Sequence, residues 1–161
     1  MTEIKSEILR KGLWMYRVQY WIARQKGIPQ NFDGKEYARL GIVVQLAVAD
    51  ELGYHTIINM GGSDNGLDIQ EGDYFIDIKS QKNIVDGTYR LWNQHSGKVT
   101  NIMIFVQGNR KEFKILGWNT YDVVMDVPIC GDFRPIPLES MRHIHELKAY
   151  LYISKLKRTA I

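Results

Sequence analysis

Two short runs of alternating apolar and polar residues, joined by a Gly-Asp pair at 72–73, constrain the fold of this chain more than any other feature. Residues 74–79 read Tyr-Phe-Ile-Asp-Ile-Lys, and a period of two residues predicts a β-strand. A Gly-Asp pair between such runs is typical of a two-residue hairpin turn, so the preceding run becomes the antiparallel partner. This register places Asp68 directly opposite Asp77. A shift of one residue would move every side chain to the other face, so the prediction depends on the turn.

The predicted hairpin brings two carboxylates and an ammonium, those of Asp68, Asp77 and Lys79, to one face, while Ile76 and Ile78 make the other face apolar. Like charges directly opposite each other destabilise a sheet. A divalent cation would remove that penalty, since Mg²⁺ prefers oxygen ligands and usually takes one or two protein carboxylates. The ammonium of Lys79 would then be a point charge that attracts a phosphate or an attacking hydroxide. The alternative interpretation is a solvated edge hairpin with scattered charges.

Asp68 and, nine positions later, Asp77-Ile78-Lys79 resemble the signature of the PD-(D/E)XK nuclease superfamily, which includes type II restriction enzymes and archaeal Holliday-junction resolvases. The preceding Gly-Ser-Asp-Asn-Gly-Leu at 62–67 is similar to the resolvase-like and restriction-like branches, although Leu67 replaces the proline of the signature. The resemblance covers residues 35–118 and more loosely the remainder. It implies an α/β (α+β) fold with a restriction-endonuclease-like core, in which helices flank a central mixed β-sheet of four to five strands in the order αβββαβ.

The resemblance also implies roles for individual residues. Asp68 and Asp77, with the backbone carbonyl of Ile78, would bind Mg²⁺ or Mn²⁺. Lys79 would orient the nucleophile and stabilise charge on the phosphorus. If the strand continues, Gln81 shares the face of Asp77 and Lys79. It would then contact either the site or the DNA; the alternative is that Gln81 has no functional role.

Residues 35–52 are predicted to form a helix that ends at Gly53. Its middle, residues 40–49, is apolar on every side except at Gln45, so the helix must be buried and Gln45 needs a polar partner. The superfamily carries a Glu on its first core helix, and by resemblance Gln45 takes that position, where an amide offers a metal less charge. Glu36 is the fallback candidate. At about 100° per residue it lies on the opposite side of the helix from Gln45, so both cannot face the site.

The remaining segments are predicted by periodicity and by turn residues. An N-terminal helix over residues 3–26 carries Trp14, Tyr16, Tyr20 and Trp21 among several cations. It either packs its aromatics on the core and exposes its cations, or forms an arm that faces DNA or a second subunit. The other predicted elements are a strand over 54–60, a short helix or turn over 88–96, a strand buried on both faces over 101–106, a strand over 112–117, a short helical segment from 118, an irregular connector over 126–137 and a last helix over 143–157.

Length and composition limit the class of protein. The 161 residues predict a single domain over 1–161, with an N-terminal helical arm (1–30), a core (35–118) and a connector with a C-terminal helix (126–161). The net charge of +3 is compatible with a polyanionic partner but is weak evidence for one. The single cysteine excludes an internal disulfide framework. There is no secretory signal and no apolar run long enough to cross a bilayer, which predicts a cytoplasmic protein without a membrane partner.

These observations predict a Mg²⁺-dependent deoxyribonuclease, an endonuclease that acts on DNA, forms a homodimer and needs no organic cofactor. The alternative is a catalytically inactive restriction-like fold that serves as a DNA-binding or assembly module, and Gln45 in place of a carboxylate argues for it. A third hypothesis is an α+β interaction domain with a coincidental motif. The residues that contact DNA cannot be assigned from the sequence.

Overall fold

A computed structural model describes residues 1–25, 34–55, 68–92, 100–109 and 111–159 of the chain. The strands are Thr2–Glu3 (β1), Ile69–Glu71 (β2), Tyr74–Gln81 (β3), Thr88–Trp92 (β4), Ile102–Gly108 (β5), Glu112–Thr120 (β6) and Phe133–Pro137 (β7). The helices are Ser6–Gln25 (α1), Gly34–Leu52 (α2), Tyr121–Asp126 (α3) and His145–Thr159 (α4).

The strands form a mixed five-stranded sheet in the order β1-β6-β5-β3-β2 and a separate two-stranded sheet of β4 and β7. Within the larger sheet β3 and β5 are parallel, and the other neighbours are antiparallel. The prediction of an α+β chain with a mixed sheet of four to five strands is therefore confirmed.

The centre of the larger sheet is buried on both faces, as the apolar run at 101–106 predicts. Ile102, Ile104 and Val106 belong to the core formed with the long helices, whereas Met103 and Phe105 belong to a second core under β4, β7 and α3. All five side chains are at most 1% exposed. The sheet thus lies between a helical layer and a smaller layer built on the two-stranded sheet.

The β2–β3 hairpin has the predicted register. Ile69 pairs with Ile76 and Glu71 pairs with Tyr74, which leaves Gly72-Asp73 as a two-residue turn. Gly72 has φ = 59°, as the first central residue of a type II′ turn requires. The paired residues end at Ile69, and the amide of Asp68 donates to the carbonyl of Ile76, the residue that already pairs with Ile69. The predicted position of Asp68 directly opposite Asp77 is therefore not among the pairs that the structure shows, because two residues of one strand face one residue of the other, as in a β-bulge. Ile76 and Ile78 belong to the helical core, as predicted.

The α1 and α2 helices pack against each other through a glycine. A Cβ atom on Gly12 would lie 2.7 Å from Cγ2 of Val43 and 3.1 Å from its Cα, so the two helices approach closely at this point. Val43, Val44 and Val48 are fully buried, which confirms the predicted buried helix, and Gly53 at φ = 72° follows its C-terminus.

Two predicted segments were wrong, and a third begins later than predicted. Residues 88–92 form strand β4 rather than a helix or turn, so β4 follows β3 where the αβββαβ order places a helix. The rest of that predicted segment, residues 93–96, lies outside the described residues. Strand β6 continues to Thr120, and the short helix predicted from 118 begins at Tyr121. The connector contains β7 despite Pro135 and Pro137, which a two-stranded sheet tolerates because only one edge of each strand is paired. The strand predicted over 54–60 lies almost wholly outside the described residues.

Among the described helices, none is long and apolar enough to cross a membrane.

Candidate active site

Asp68 is held at the edge of the sheet by hydrogen bonds to two different elements. Its Oδ2 accepts from the amide of Ile78 on β3 at 2.6 Å, and its Oδ1 accepts from Nε2 of Gln45 on α2 at 2.8 Å. The Asp68 amide donates to the carbonyl of Ile76 at 3.0 Å. The side chain is buried, with only 4% of the residue exposed. Hydrogen bonds to an ionised carboxylate are about twice as strong as those between neutral groups. Asp68 therefore links α2 firmly to β3.

Gln45 therefore has the polar partner that its place in an apolar helix requires. An ionised carboxylate only accepts hydrogen bonds, so the amide of Gln45 must donate through Nε2, and Oε1 is its atom able to bind a cation. Glu36 lies in the first turn of α2, and its side chain is outside the described part of the chain.

Asp77 and Lys79 form an ion pair, with Nζ of Lys79 2.7 Å from Oδ2 of Asp77. The Asp77 side chain is completely buried and that of Lys79 is 13% exposed. In β5 their Cα partners are Met103 and Phe105, which belong to the core under the two-stranded sheet. The polar face of the hairpin is thus covered by a second layer, and Lys79 is the member of the pair that reaches solvent.

The negative charge of Asp77 affects the pKa of the buried Tyr89 on β4. Burial raises the pKa of the Tyr89 hydroxyl far above its usual value near 10, and the negative charge of Asp77 raises it further. The ring of Tyr89 also packs edge-on against Phe105, with ring centroids 5.0 Å apart. The sequence analysis missed Tyr89, although the alternation of Tyr89 and Leu91 with polar residues is the signal that would have revealed a strand covering the site.

The structure joins these residues as two separate pairs: Gln45 of α2 bonds to Asp68, and Asp77 pairs with Lys79 on the side of β3 that the two-stranded sheet covers. Asp68 accepts from the amide of Ile78, the residue between Asp77 and Lys79, and this backbone contact links the two pairs. Gln81 continues β3 as predicted. Its Oε1 accepts from the amide of Arg90 at 3.2 Å and its Nε2 donates to the carbonyl of Asn83, so Gln81 ties the end of β3 to β4.

The residues present fit a hard divalent cation. The ligand atoms that they offer are all oxygens: the carboxylates of Asp68 and Asp77, the carbonyl of Ile78 and Oε1 of Gln45. Within the described ranges, no three His, Cys, Asp or Glu side chains gather at one point. Two carboxylates with backbone and amide oxygens suit Mg²⁺ or Mn²⁺, which keep several waters, better than a closed zinc site.

Comparison with known protein families, with characterised proteins and with solved structures finds no match to this chain. The interpretation of the site therefore depends on its residues and their geometry.

Proposed function

We propose that this protein is a metal-dependent nuclease that hydrolyses DNA phosphodiester bonds as an endonuclease, on a restriction-endonuclease-like core. One observation carries the proposal. The carboxylate of Asp68 is hydrogen-bonded both to Gln45, at the position of the superfamily's helical Glu, and to the amide of Ile78 beside the Asp77–Lys79 pair. The contact between Gln45 and Asp68 supports the proposal, because it joins two residues that lie on different elements and 23 positions apart in the sequence.

In this proposal each residue has one task. Asp68, Asp77 and the Ile78 carbonyl would hold Mg²⁺, which supplies Lewis-acid polarisation of the phosphate and lowers the pKa of a bound water. An ammonium has three donors, so Lys79 can hold Asp77 and still donate to a water or a phosphate oxygen. Gln45 fixes the orientation of Asp68. Such positioning and preorganised charge account for much of the rate of phosphoryl chemistry. A homodimer would supply two sites for the two strands of a duplex.

A second candidate function has its own support. Gln45 donates to Asp68 and Lys79 balances the fully buried Asp77, so the polar groups stabilise one another as they stand. The same fold would then serve as an inactive DNA-binding or assembly module.

The test is cleavage of supercoiled, linear, single-stranded and branched DNA with Mg²⁺, with Mn²⁺ and with EDTA. Asp68→Asn is the informative variant, because its amide can accept from Ile78 and donate to a rotated Gln45 amide, so the fold is kept while the charge is lost. We expect cleavage to fall by roughly 100-fold or more, the scale for removing one preorganised electrostatic contact from an active site. Lys79→Ala should also abolish cleavage, but it removes the cation that balances a buried carboxylate, at a cost of about 3–5 kcal/mol of stability.

Asp73→Asn makes the same change at an exposed carboxylate of the same hairpin and is the matched control, which should cut like the parent protein. Equal activity of Asp68→Asn would contradict the nuclease proposal. DNA binding without cleavage by the parent protein, with either metal, would support the module instead.

A further inference from the structure

One face of α1 exposes arginines and tryptophans in alternation. These residues follow one another at steps of four and three: Arg10, Trp14, Arg17, Trp21 and Arg24. Such spacing keeps them on one side of a helix, in what we term the Arg-Trp stripe. All five are exposed, and Trp14 and Trp21 are 60% and 61% exposed. The opposite side of α1, with Met15 and Tyr16, is buried in the helical core.

All charged residues of the Arg-Trp stripe are positive. From Arg10 to Arg24 the sequence contains no Asp or Glu, and Lys11 adds a fourth cation. The stripe extends over about 21 Å at 1.5 Å per residue. Tryptophan is among the largest apolar side chains, and exposed apolar groups rimmed by polar ones mark interaction surfaces. The partner must therefore offer negative charges at intervals together with flat apolar surfaces.

We propose that the Arg-Trp stripe binds single-stranded DNA, with its arginines on successive phosphates and its indole rings stacked on unpaired bases. Phosphates complement the unbroken positive charge, and every base presents a π-face to an aromatic ring. A duplex offers the phosphates but keeps its base faces stacked inside, so the tryptophans distinguish a single strand from a duplex. The stripe belongs to α1 and not to the candidate active site, so the inference goes beyond the proposed cleavage and holds whether or not the chain cuts DNA.

Two other partners fit the stripe less well. A membrane surface takes the wide apolar face of an amphipathic helix, and on α1 that face is buried in the core. A second copy of the chain, paired through α1 about a two-fold axis, would place Arg17, the middle of the stripe, beside its own counterpart. Like charges at such a contact oppose association.

The experiment measures binding of a fluorescein-labelled oligothymidylate of about 16 nucleotides, the upper end of known site sizes for single strands, by anisotropy in EDTA. The Trp14→Ala/Trp21→Ala variant should lose roughly fivefold to 100-fold in affinity per tryptophan, the range for loss of one base–aromatic stack. Trp14→Phe/Trp21→Phe should retain most of the affinity. Arg17→Gln should reduce the slope of log affinity against log salt by about 0.7, the value for one phosphate contact on a single strand.

Trp92→Ala is the matched control, because Trp92 is 63% exposed on β4 and lies outside the stripe. It should bind like the parent protein. All variants should keep the thermal unfolding midpoint, since the substituted residues are exposed.

Unchanged affinity of the double alanine variant would overturn the proposal, as would an equal loss in Trp92→Ala. Equal affinity for a duplex of the same length would overturn the role of stacking, and tighter binding of oligouridylate would assign the stripe to RNA. Binding to anionic vesicles, or a dimer that the double variant dissociates, would show that the stripe serves a membrane or a second copy instead.

Discussion

The hydrogen bond between Gln45 and Asp68 determines how the candidate active site behaves without a cation. An amide can donate to an ionised carboxylate, so Gln45 stabilises Asp68 directly. A glutamate at the same position would repel Asp68 unless a cation lay between them. Gln45 therefore stabilises Asp68 without a cation, which a glutamate at position 45 could not do.

Gln45→Glu should make the stability of the protein depend on metal. In EDTA the free energy of unfolding should fall by about 1.5–3 kcal/mol, the scale of a hydrogen bond to a charged group. Mg²⁺ should restore much of this loss, because it binds the folded state and neutralises the two carboxylates. Thermal unfolding with EDTA and with Mg²⁺ measures both effects.

Gln70→Glu makes the same substitution at an exposed position of β2 and should respond to neither condition. If Mg²⁺ left the midpoint of Gln45→Glu unchanged, the site would not bind a divalent cation beside Gln45.

At the scale of elements, α1 and α2 illustrate how one glycine fixes the distance between two helices. Gly12 has no side chain at the point where Val43 approaches, and both helices bury apolar residues on either side of this contact. A larger residue would have to push the helices apart, since its Cβ would meet the backbone of α2 as well as the side chain of Val43.

Alanine at two helical glycines should have opposite effects on stability. Gly12→Ala should destabilise the protein by about 1–3 kcal/mol through overpacking, less a gain of up to about 1 kcal/mol in helix propensity. Gly41→Ala in α2 should stabilise it by up to about 1 kcal/mol, because no described atom lies within 4 Å of the added methyl group. Urea unfolding of the two variants compares them directly, and a stabilised Gly12→Ala would mean that the helices are not in close contact.

Local patterns predicted the elements whose partners are nearby in the sequence. The Gly72-Asp73 turn sets the register of its own hairpin, so the pairing of residues 69–71 with 74–76 followed from a few residues. The two-stranded sheet of β4 and β7 was not predictable in this way, because Pro135 and Pro137 indicate a connector and only tertiary pairing reveals the strand. The burial of Asp77 depends on that sheet, so it too was missed.

The aromatic residues of α1 show a similar limit. Periodicity indicated an amphipathic helix but not which aromatics it would bury. Tyr16 and Tyr20 stack near the core, with ring centroids 6.1 Å apart, whereas Trp14 and Trp21 face outward. Packing against α2 determines which aromatic residues are buried, and the sequence of α1 alone does not predict this.

At the scale of the whole molecule, the polar residues Asp77 and Lys79 of β3 lie between two sheets. Tyr89, Phe105 and the Asp77–Lys79 pair occupy the layer where the two-stranded sheet covers the five-stranded one. A charge that develops on Tyr89 would be buried beside Asp77, so ionisation of this residue should separate the layers.

The stability of the protein should decrease in alkaline solution. The pKa of Tyr89 is raised in the folded state, so above about pH 10, the ordinary pKa of tyrosine, the unfolded chain loses a proton that the folded chain retains. The contribution of Tyr89 to the free energy of unfolding is complete below that pH. It is lost as the pH rises further, at up to about 1.4 kcal/mol per pH unit. Tyr54, whose pKa burial and the charge of Glu71 raise, adds to the same trend.

Urea unfolding at several pH values between about 8 and 11.5 spans the ordinary tyrosine pKa and measures this slope. Tyr89→Phe should flatten the profile, whereas Tyr152→Phe, at a residue 65% exposed, should not. An equally steep profile in Tyr89→Phe would exclude Tyr89 as its cause.

The pairing of β1 with β6 has a consequence for synthesis in the cell. Thr2 pairs with Phe113, and the amide of Ile4 donates to the carbonyl of Lys111 at 2.7 Å. Ile4 is buried at this edge, yet it leaves the ribosome long before the residues that cover it. Contacts so distant along the chain form late, because they must first overcome the entropy of closing a long loop. On the growing chain, Ile4 therefore stays uncovered until residues 111–113 are made, and molecular chaperones commonly bind chains in which apolar side chains are exposed in this way.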